Sequence, residues 1–303
     1  MVRSSKLAGF VMLFLLLVVP ALGQKKGAIT DPADADADFK IQGEYSGDLD
    51  GKKLGVQVIA KGNGKFQITG YPGGLPGDGF KGDEKEVVRA DGVTKDGVTE
   101  FPKFLSGATI KDGAMTIGKA SLKRVERQSP TAALKPPEGA RILFDGKTND
   151  FKPGKTTKDD LLEVGQRSAT PISKDFTMHV EFRCPYQPTA GGQGRGNSGV
   201  YLGGQEVQVL DSFGLKLGKG DCGALYNFRI PDVNASLPPL TWQTYDIDYS
   251  FPKDGKPSII TVKHNGVVIH DKVEIKDKPK SLTINLQNHG NPVVFRNIWI
   301  VEK

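Results

Sequence analysis

Between Phe176 and Cys184 the chain alternates residue by residue. His179, Glu181 and Arg183 fall on one side of an extended backbone, and Val180, Phe182 and Cys184 on the other. A period of two belongs to a β-strand, whose successive side chains leave opposite faces. The pattern recurs at Glu206–Leu210, where Glu206 and Gln208 oppose Val207 and Val209. From Trp242 to Tyr249, Asp246 and Asp248 oppose Tyr245, Ile247 and Tyr249. From Leu282 onward, Thr283, Asn285, Gln287 and His289 oppose Ile284 and Leu286. Further strands are predicted at Ser198–Leu202, Ile259–Lys263 and Val293–Val301, with Asp254-Gly255 and Asn265-Gly266 as hairpin turns. Both residues of such pairs can take positive φ, as a tight hairpin requires. Many short strands with no intervening helical period predict a β-sandwich over residues 141–303.

The region before it has a different texture. Residues 39–125 are rich in glycine, with turn pairs at Asp50-Gly51, Asn63-Gly64, Asp91-Gly92, Asp96-Gly97 and Asp112-Gly113. Short alternating runs such as Leu54–Ile59 and Phe66–Ile68 lie between them, and the Gly- and Pro-rich stretch 71–82 reads as loop. A small antiparallel β domain is expected, with no catalytic constellation. Residues 126–140, which include Pro130, Pro136 and Pro137, read as a stiff extended linker between domains. Residues 24–38 read as a flexible leader. Asp34, Asp36 and Asp38 touch a calcium-loop spacing, but Phe39 stands where such a loop needs glycine.

At the start, Arg3 and Lys6 precede an apolar run from Leu7 to Pro20, followed by Ala21-Leu22-Gly23. This is the charge, apolar and small-residue order of a secretory signal over residues 1–23, and the run is short of the ~20 residues of a spanning helix. An exported protein is expected, periplasmic or extracellular, with no membrane span after cleavage. Export permits a disulfide between Cys184 and Cys222 without requiring one.

Composition narrows the field. At about 150 residues per domain, 303 residues suggest two domains. The 38 glycines and 19 prolines favour turns over long helices. Loss of Arg3 and Lys6 with the signal lowers the net charge from +6 to +4, and the remainder is scattered, which argues against a nucleic-acid partner. Two cysteines exclude a disulfide-dense scaffold, and four histidines without an HExxH run leave little room for a His-rich metal centre. The Gly191–Gly196 loop before Asn197 lacks the GxxxxGK[ST] pattern of a phosphate loop and reads as a mobile rim over a site or as a flexible hairpin, and no GxSxG supports a serine hydrolase.

What remains is the polar side of the strands. It carries Glu, Arg, Gln, Asn and His, where an ordinary solvated face would be Lys, Glu, Thr and Ser. Such groups bind sugar hydroxyls through paired donor and acceptor contacts. Asn197, Gln208 and Gln287 are candidate substrate contacts, and Tyr201, Tyr226 and Trp242 are candidate sugar-packing rings. The rival readings are a lectin-like module that binds glycans without cleaving them, and a purely structural β protein.

LFDGK (143–147), DFTMHVEFR (175–183), NSGVYL (197–202), EVQVLD (206–211), GALY (223–226) and INLQNHGNPVVFRNIWI (284–300) follow one another in an order that resembles the 3-keto-disaccharide hydrolase domain, also called the 3-keto-glucoside lyase and 3-keto-2-hydroxy-glucal hydratase domain. The resemblance covers about residues 140–302. It implies a concanavalin-like jelly-roll sandwich, a sugar site on its concave sheet, and Glu181, Arg183, Asn197, Glu206, Gln208, Asp211 and His289 as positions near that site. The implied activity is cleavage of 3-keto-glycosides: a base removes the C2 proton, the aglycone leaves C1, and water adds back. Glu206 or His289 is the candidate base. Arg183, Asn197 or Gln208 is the candidate oxyanion partner, and Glu181 or Asp211 the candidate acid or anchor for Arg183. Direct hydrolysis by two carboxylates is a rival route. No cofactor is required, although a divalent ion held by Glu206, Asp211 and His289 is an alternative way to stabilise the enolate.

Overall fold

The computed structural model describes residues 27–303; the expected export signal lies outside the described residues. The protein is all-β, in two parts. Eight antiparallel strands close into a barrel in the order Gly43–Leu49, Ala120–Val125, Ala114–Ile117, Ala108–Lys111, Val98–Phe101, Val88–Lys95, Lys65–Pro72 and Lys52–Gly62, which pairs again with the first. Closure leaves no open sheet edge. The barrel interior is packed with Tyr45, Val56, Val58, Phe66, Ile68, Phe101 and Met115.

The second part is two sheets sharing one apolar core. A seven-stranded sheet runs Arg141–Phe144, Val294–Glu302, Phe176–Arg183, Gln243–Ser250, Ser258–His264 and Val267–Ile275, with Leu162–Glu163 also paired to Val294–Glu302. A five-stranded sheet runs Phe151–Lys152, Gln166–Ser168, Ile284–Leu286, Ser198–Leu202 and Gln205–Val209. Met178, Val180, Phe182, Tyr245 and Ile247 from one sheet meet Val200, Leu202, Val207, Val209, Ile284 and Leu286 from the other. The apolar half of every alternating strand is therefore spent on one buried seam, and the polar halves point away from it. Among the described residues no helix is long and apolar enough to cross a membrane.

Most turn pairs behave as their chemistry predicts. Asp50-Gly51, Asn63-Gly64, Asp96-Gly97, Asp112-Gly113, Asp254-Gly255 and Asn265-Gly266 each have both residues at positive φ. Asp91-Gly92 does not form a turn. It lies inside the Val88–Lys95 strand, where a side chain on Gly92 would collide with the Phe101 ring. That glycine makes room for core packing.

The segment expected to be a flexible leader is folded, and the segment expected to be a stiff linker is fastened to a sheet. Ile29 exchanges both backbone hydrogen bonds with Tyr186, at 3.0 and 2.8 Å. Asp31 caps the turn Pro32–Asp34, Asp36 caps the short helix Ala37–Ile41 and accepts the Tyr186 hydroxyl at 2.9 Å, and Asp38 accepts the Gly64 N–H. The acidic spacing of the leader thus serves helix caps and loop ties. The proline-containing segment after the barrel lies on the outer face of the seven-stranded sheet, where Ser129 and Thr131 hydrogen-bond Thr244 and Ala133 donates its N–H to Glu181. Cys184 and Cys222 are both buried and free.

Candidate functional site

The sequence places Glu181, Arg183, Glu206, Gln208, Gln287 and His289 on one polar face. The structure divides them. Because the two sheets meet through their apolar sides, Glu181 and Arg183 end on the outer face of the seven-stranded sheet, and Glu206, Gln208 and Gln287 belong to the opposite one. Alternation reports which side of its own strand a residue takes, and says nothing of which sheet the strand joins.

On the seven-stranded side the polar groups satisfy one another. Glu181 is fully buried; it accepts the Ala133 N–H at 2.6 Å, Asn297 Nδ2 at 2.8 Å and Arg296 Nε at 2.8 Å. Burial alone would raise its carboxyl, but hydrogen bonds from His179, Asn297 and Arg296 outweigh this and hold it at about 2. His179 sits 2.6 Å from Asp246 and 3.5 Å from Glu181, stacked on Trp299. Burial would lower the imidazole, and the two carboxylates together raise it. Trp242 lies under two guanidinium groups, Arg296 at 4.0 Å and Arg183 at 5.1 Å from its ring centre. Glu181, Arg183 and Trp242 therefore lie on the opposite outer face from Glu206. Asp211 is also committed elsewhere: it forms a buried ion pair with Arg195 at 2.7 Å. His289 is exposed in the turn after Leu286, beyond the end of its strand, so the alternation that aligned it with Gln287 does not reach it. The carboxylate and imidazole set expected to hold a divalent ion is thereby taken apart.

The five-stranded side is built around Gly199. Asn197 and Tyr201 flank it on its own stretch of chain, Gln208 is its partner on the next strand, and the Gln287 N–H donates to its carbonyl at 2.9 Å. Glu206 folds its carboxylate over the glycine, and a Cβ at position 199 would collide with Glu206 Oε1. The absence of a side chain is what lets the carboxylate lie there. Glu206, Gln208 and Asn197 are buried, with 4%, 1% and 1% of their surface exposed.

The hydrogen bonds fix which amide atoms are satisfied and which are not. Asn197 Nδ2 donates to the Gln193 carbonyl at 2.8 Å, and Gln208 Nε2 donates to the Gly220 carbonyl at 3.1 Å. A main-chain carbonyl can only accept, so both amides are pinned by their nitrogens. Gln287 Nε2 donates to the Tyr201 hydroxyl at 3.2 Å, and that hydroxyl in turn stands by Glu206. Asn197 Oδ1, Gln208 Oε1, Gln287 Oε1 and Glu206 Oε1 are left buried without a partner among the described residues. Buried acceptors in this state are costly unless something donates to them. These four orphan oxygens belong to residues grouped around Gly199.

Glu206 is electrostatically unlike its peers. Glu44, Glu181 and Asp211 are each buried against an arginine. Among the described residues Glu206 has no cation beside it; burial raises its pKa above the usual carboxylate value, and the Tyr201 hydroxyl draws it back. The Tyr201 hydroxyl is pushed up to about 12, by burial first and by Glu206 second. It therefore keeps its proton near neutrality. Tyr226 borders Glu206 because residues 223–226 extend this sheet: Val207 bridges to Leu225, and the Tyr226 N–H donates to the Glu206 carbonyl at 3.0 Å.

Of the expected site residues, Asn197, Tyr201, Glu206, Gln208, Gln287 and Tyr226 are brought together. Gly199 and Gln193 were not anticipated. Gly199 carries a legible signal, a glycine inside a strand pattern, which often marks close approach; Gln193 is signalled only by its place in the Gly191–Gly196 loop, which reads as a rim or a hairpin.

No curated protein matches the chain. A solved structure of a candidate glycosyl hydrolase from Parabacteroides distasonis ATCC 8503 is 34% identical, covers 55% of this chain and 85% of its own, and superposes with a TM-score of 0.49. A second candidate glycosyl hydrolase from the same organism is 18% identical over 50% of this chain and 78% of its own, with a TM-score of 0.36. The family model for the 3-keto-alpha-glucoside-1,2-lyase-like domain matches residues 139–301, a span that holds both outer faces and more than half of the chain. The chain belongs to the family of the 3-keto-alpha-glucoside-1,2-lyase-like domain.

Proposed function

We propose that this protein is an exported carbohydrate-active enzyme that cleaves 3-keto-glycosides at the face centred on Gly199. Family membership supports action on glycosides. The observation that carries the reading is Glu206: a buried carboxyl with a raised pKa that, among the described residues, has no cation beside it and is set among unpartnered amide oxygens. A carboxylate whose pKa is lifted toward neutrality is a better proton acceptor than an ordinary one. In the proposed route the amide oxygens of Asn197, Gln208 and Gln287 hold sugar hydroxyls. Glu206 takes the C2 proton, which the C3 ketone has acidified. The C2–H electron pair becomes the C1–C2 double bond, and the C1–O bond to the aglycone breaks. Tyr201, the protonated donor on this face, is placed to hydrogen-bond the developing enolate oxygen or to protonate the leaving oxygen. Water then adds at C1 and a proton returns to C2, so that the net change is hydrolysis. The route draws on no cofactor. The fold proposed for the catalytic part is a concanavalin-like jelly roll.

Release of aglycone from a chromogenic 3-keto-β-glucoside tests the reading. Turnover that is lost in Glu206→Gln supports it. Sugar binding with no aglycone release by the unaltered protein would assign the face to a lectin instead.

A further inference from the structure

At the end of the sandwich the chain crosses from the five-stranded to the seven-stranded sheet between Leu286 and Val294. A cleft of about 840 Å³ opens there. Part of its wall comes from the family domain, including Arg183, Gln187, Asn288 and Asn291, and part from residues 28–34, which precede the barrel and lie outside the family match. The cleft adjoins the Gly199 face. Asn288 follows Gln287 directly, Asn291 Oδ1 accepts the Asn197 N–H at 3.0 Å, and Gln187 Oε1 accepts the Gly196 N–H at 2.8 Å.

We infer that this cleft is an extended subsite that receives further sugar units of a substrate whose reacting ring lies over Gly199, and that the N-terminal segment 28–34 sets the substrate length the enzyme prefers. The inference rests on the carbohydrate reading of the Gly199 face. Three features point to a neutral polyhydroxylated ligand. The volume lies in the range of ligand clefts. Arg183 is partly buried, rests on Trp242 and forms no ion pair among the described residues, so its donors remain available to hydroxyl oxygens. Asp31, Asp34 and Asp159 offset Arg183 and Lys158 along the wall. Three carboxylates would repel a phosphate, a sulfate or a polyanion, whereas sugar hydroxyls can both donate to carboxylates and accept from the cations. The strap is held in place by the paired hydrogen bonds of Ile29 with Tyr186.

Titration calorimetry of the intact protein with maltotetraose and cellotetraose, against maltose and cellobiose, tests the inference. For at least one series the tetrasaccharide is expected to bind about tenfold tighter than the disaccharide, the worth of one or two hydrogen bonds to charged groups. Thr30→Trp, which fills the cleft from its exposed wall, is expected to abolish that increment and leave disaccharide binding unchanged. Arg183→Met is expected to reduce it. Disaccharide binding with no length increment, or an increment that survives both substitutions, overturns the cleft assignment alone. Failure of every sugar to bind overturns the reading of the Gly199 face, and the cleft assignment with it.

Discussion

Glu181 and Glu206 are both buried glutamates within β-strands, on opposite outer faces of the same sandwich. Glu181 meets an arginine, an asparagine, a histidine and a backbone N–H. Glu206 meets a tyrosine hydroxyl and has an orphan oxygen. The first carboxyl is held far below its usual value and the second is lifted above it. Burial acts on both in the same direction; the partners decide the outcome. A closed network of this kind fastens a segment, and here it fastens the chain between barrel and sandwich to the sheet. The Gly199 face instead leaves acceptors unpartnered among the described residues.

The comparison breaks most sharply under paired substitution. Glu206→Gln is expected to lower turnover of a 3-keto-glucoside by about 100-fold or more, while melting shows no loss of stability. The sign follows from linkage. A raised folded pKa means that stability falls as pH rises through that value, so removing the carboxyl is neutral or stabilising at neutral pH. Glu181→Gln is expected to do the reverse, costing about 2–3 kcal/mol in denaturant unfolding because Arg296 and His179 lose their partner, with turnover per folded molecule little changed. Comparable loss of turnover in the two variants would erase the distinction between the faces.

Gly199→Ala is a finer probe. Its methyl group must displace the Glu206 carboxylate, and a loss of about 10- to 100-fold in turnover is expected, since small displacements of a reacting group are expensive. Unchanged kinetics would show that the carboxylate position over Gly199 is immaterial. Tyr201→Phe sharpens the electrostatic claim. The rate is expected to rise with pH through the Glu206 pKa, above the ordinary 4.5. Removing the one group that lowers this pKa should move the rising limb of kcat/KM to higher pH. A limb that stays in place, or moves down, would contradict the pairing.

The smallest effect concerns the closed face. Thr131→Ala removes hydrogen bonds to Thr244 and Asp246 and is expected to cost about 1 kcal/mol, with faster proteolysis after the barrel and no kinetic change. Retained protease resistance would show that this segment is held by other contacts.

The alternation of strands such as Phe176–Arg183 and Gln205–Val209 was legible in the sequence because it is a local property. So were the hairpins, where Asn-Gly and Asp-Gly take positive φ by their own chemistry. Gly92 was misread because the ring that needs its space, Phe101, arrives from a neighbouring strand. The division of the polar residues between two faces was not legible for a related reason. Strand partners are chosen by long-range pairing, and Glu181 and Glu206 look alike until those partners are known. The order of the Asp31–Asp38 segment was hidden too, since its stabilising partners Tyr186 and Gly64 are remote in sequence.

The most direct test is a crystal structure of Glu206→Gln with a gluco-disaccharide bound. The account predicts sugar hydroxyls within about 3.2 Å of Asn197 Oδ1, Gln208 Oε1 and Gln287 Oε1, with a ring over Gly199. A sugar seated instead against Trp242, Arg183 and Arg296, with those three oxygens still unpartnered, would contradict it.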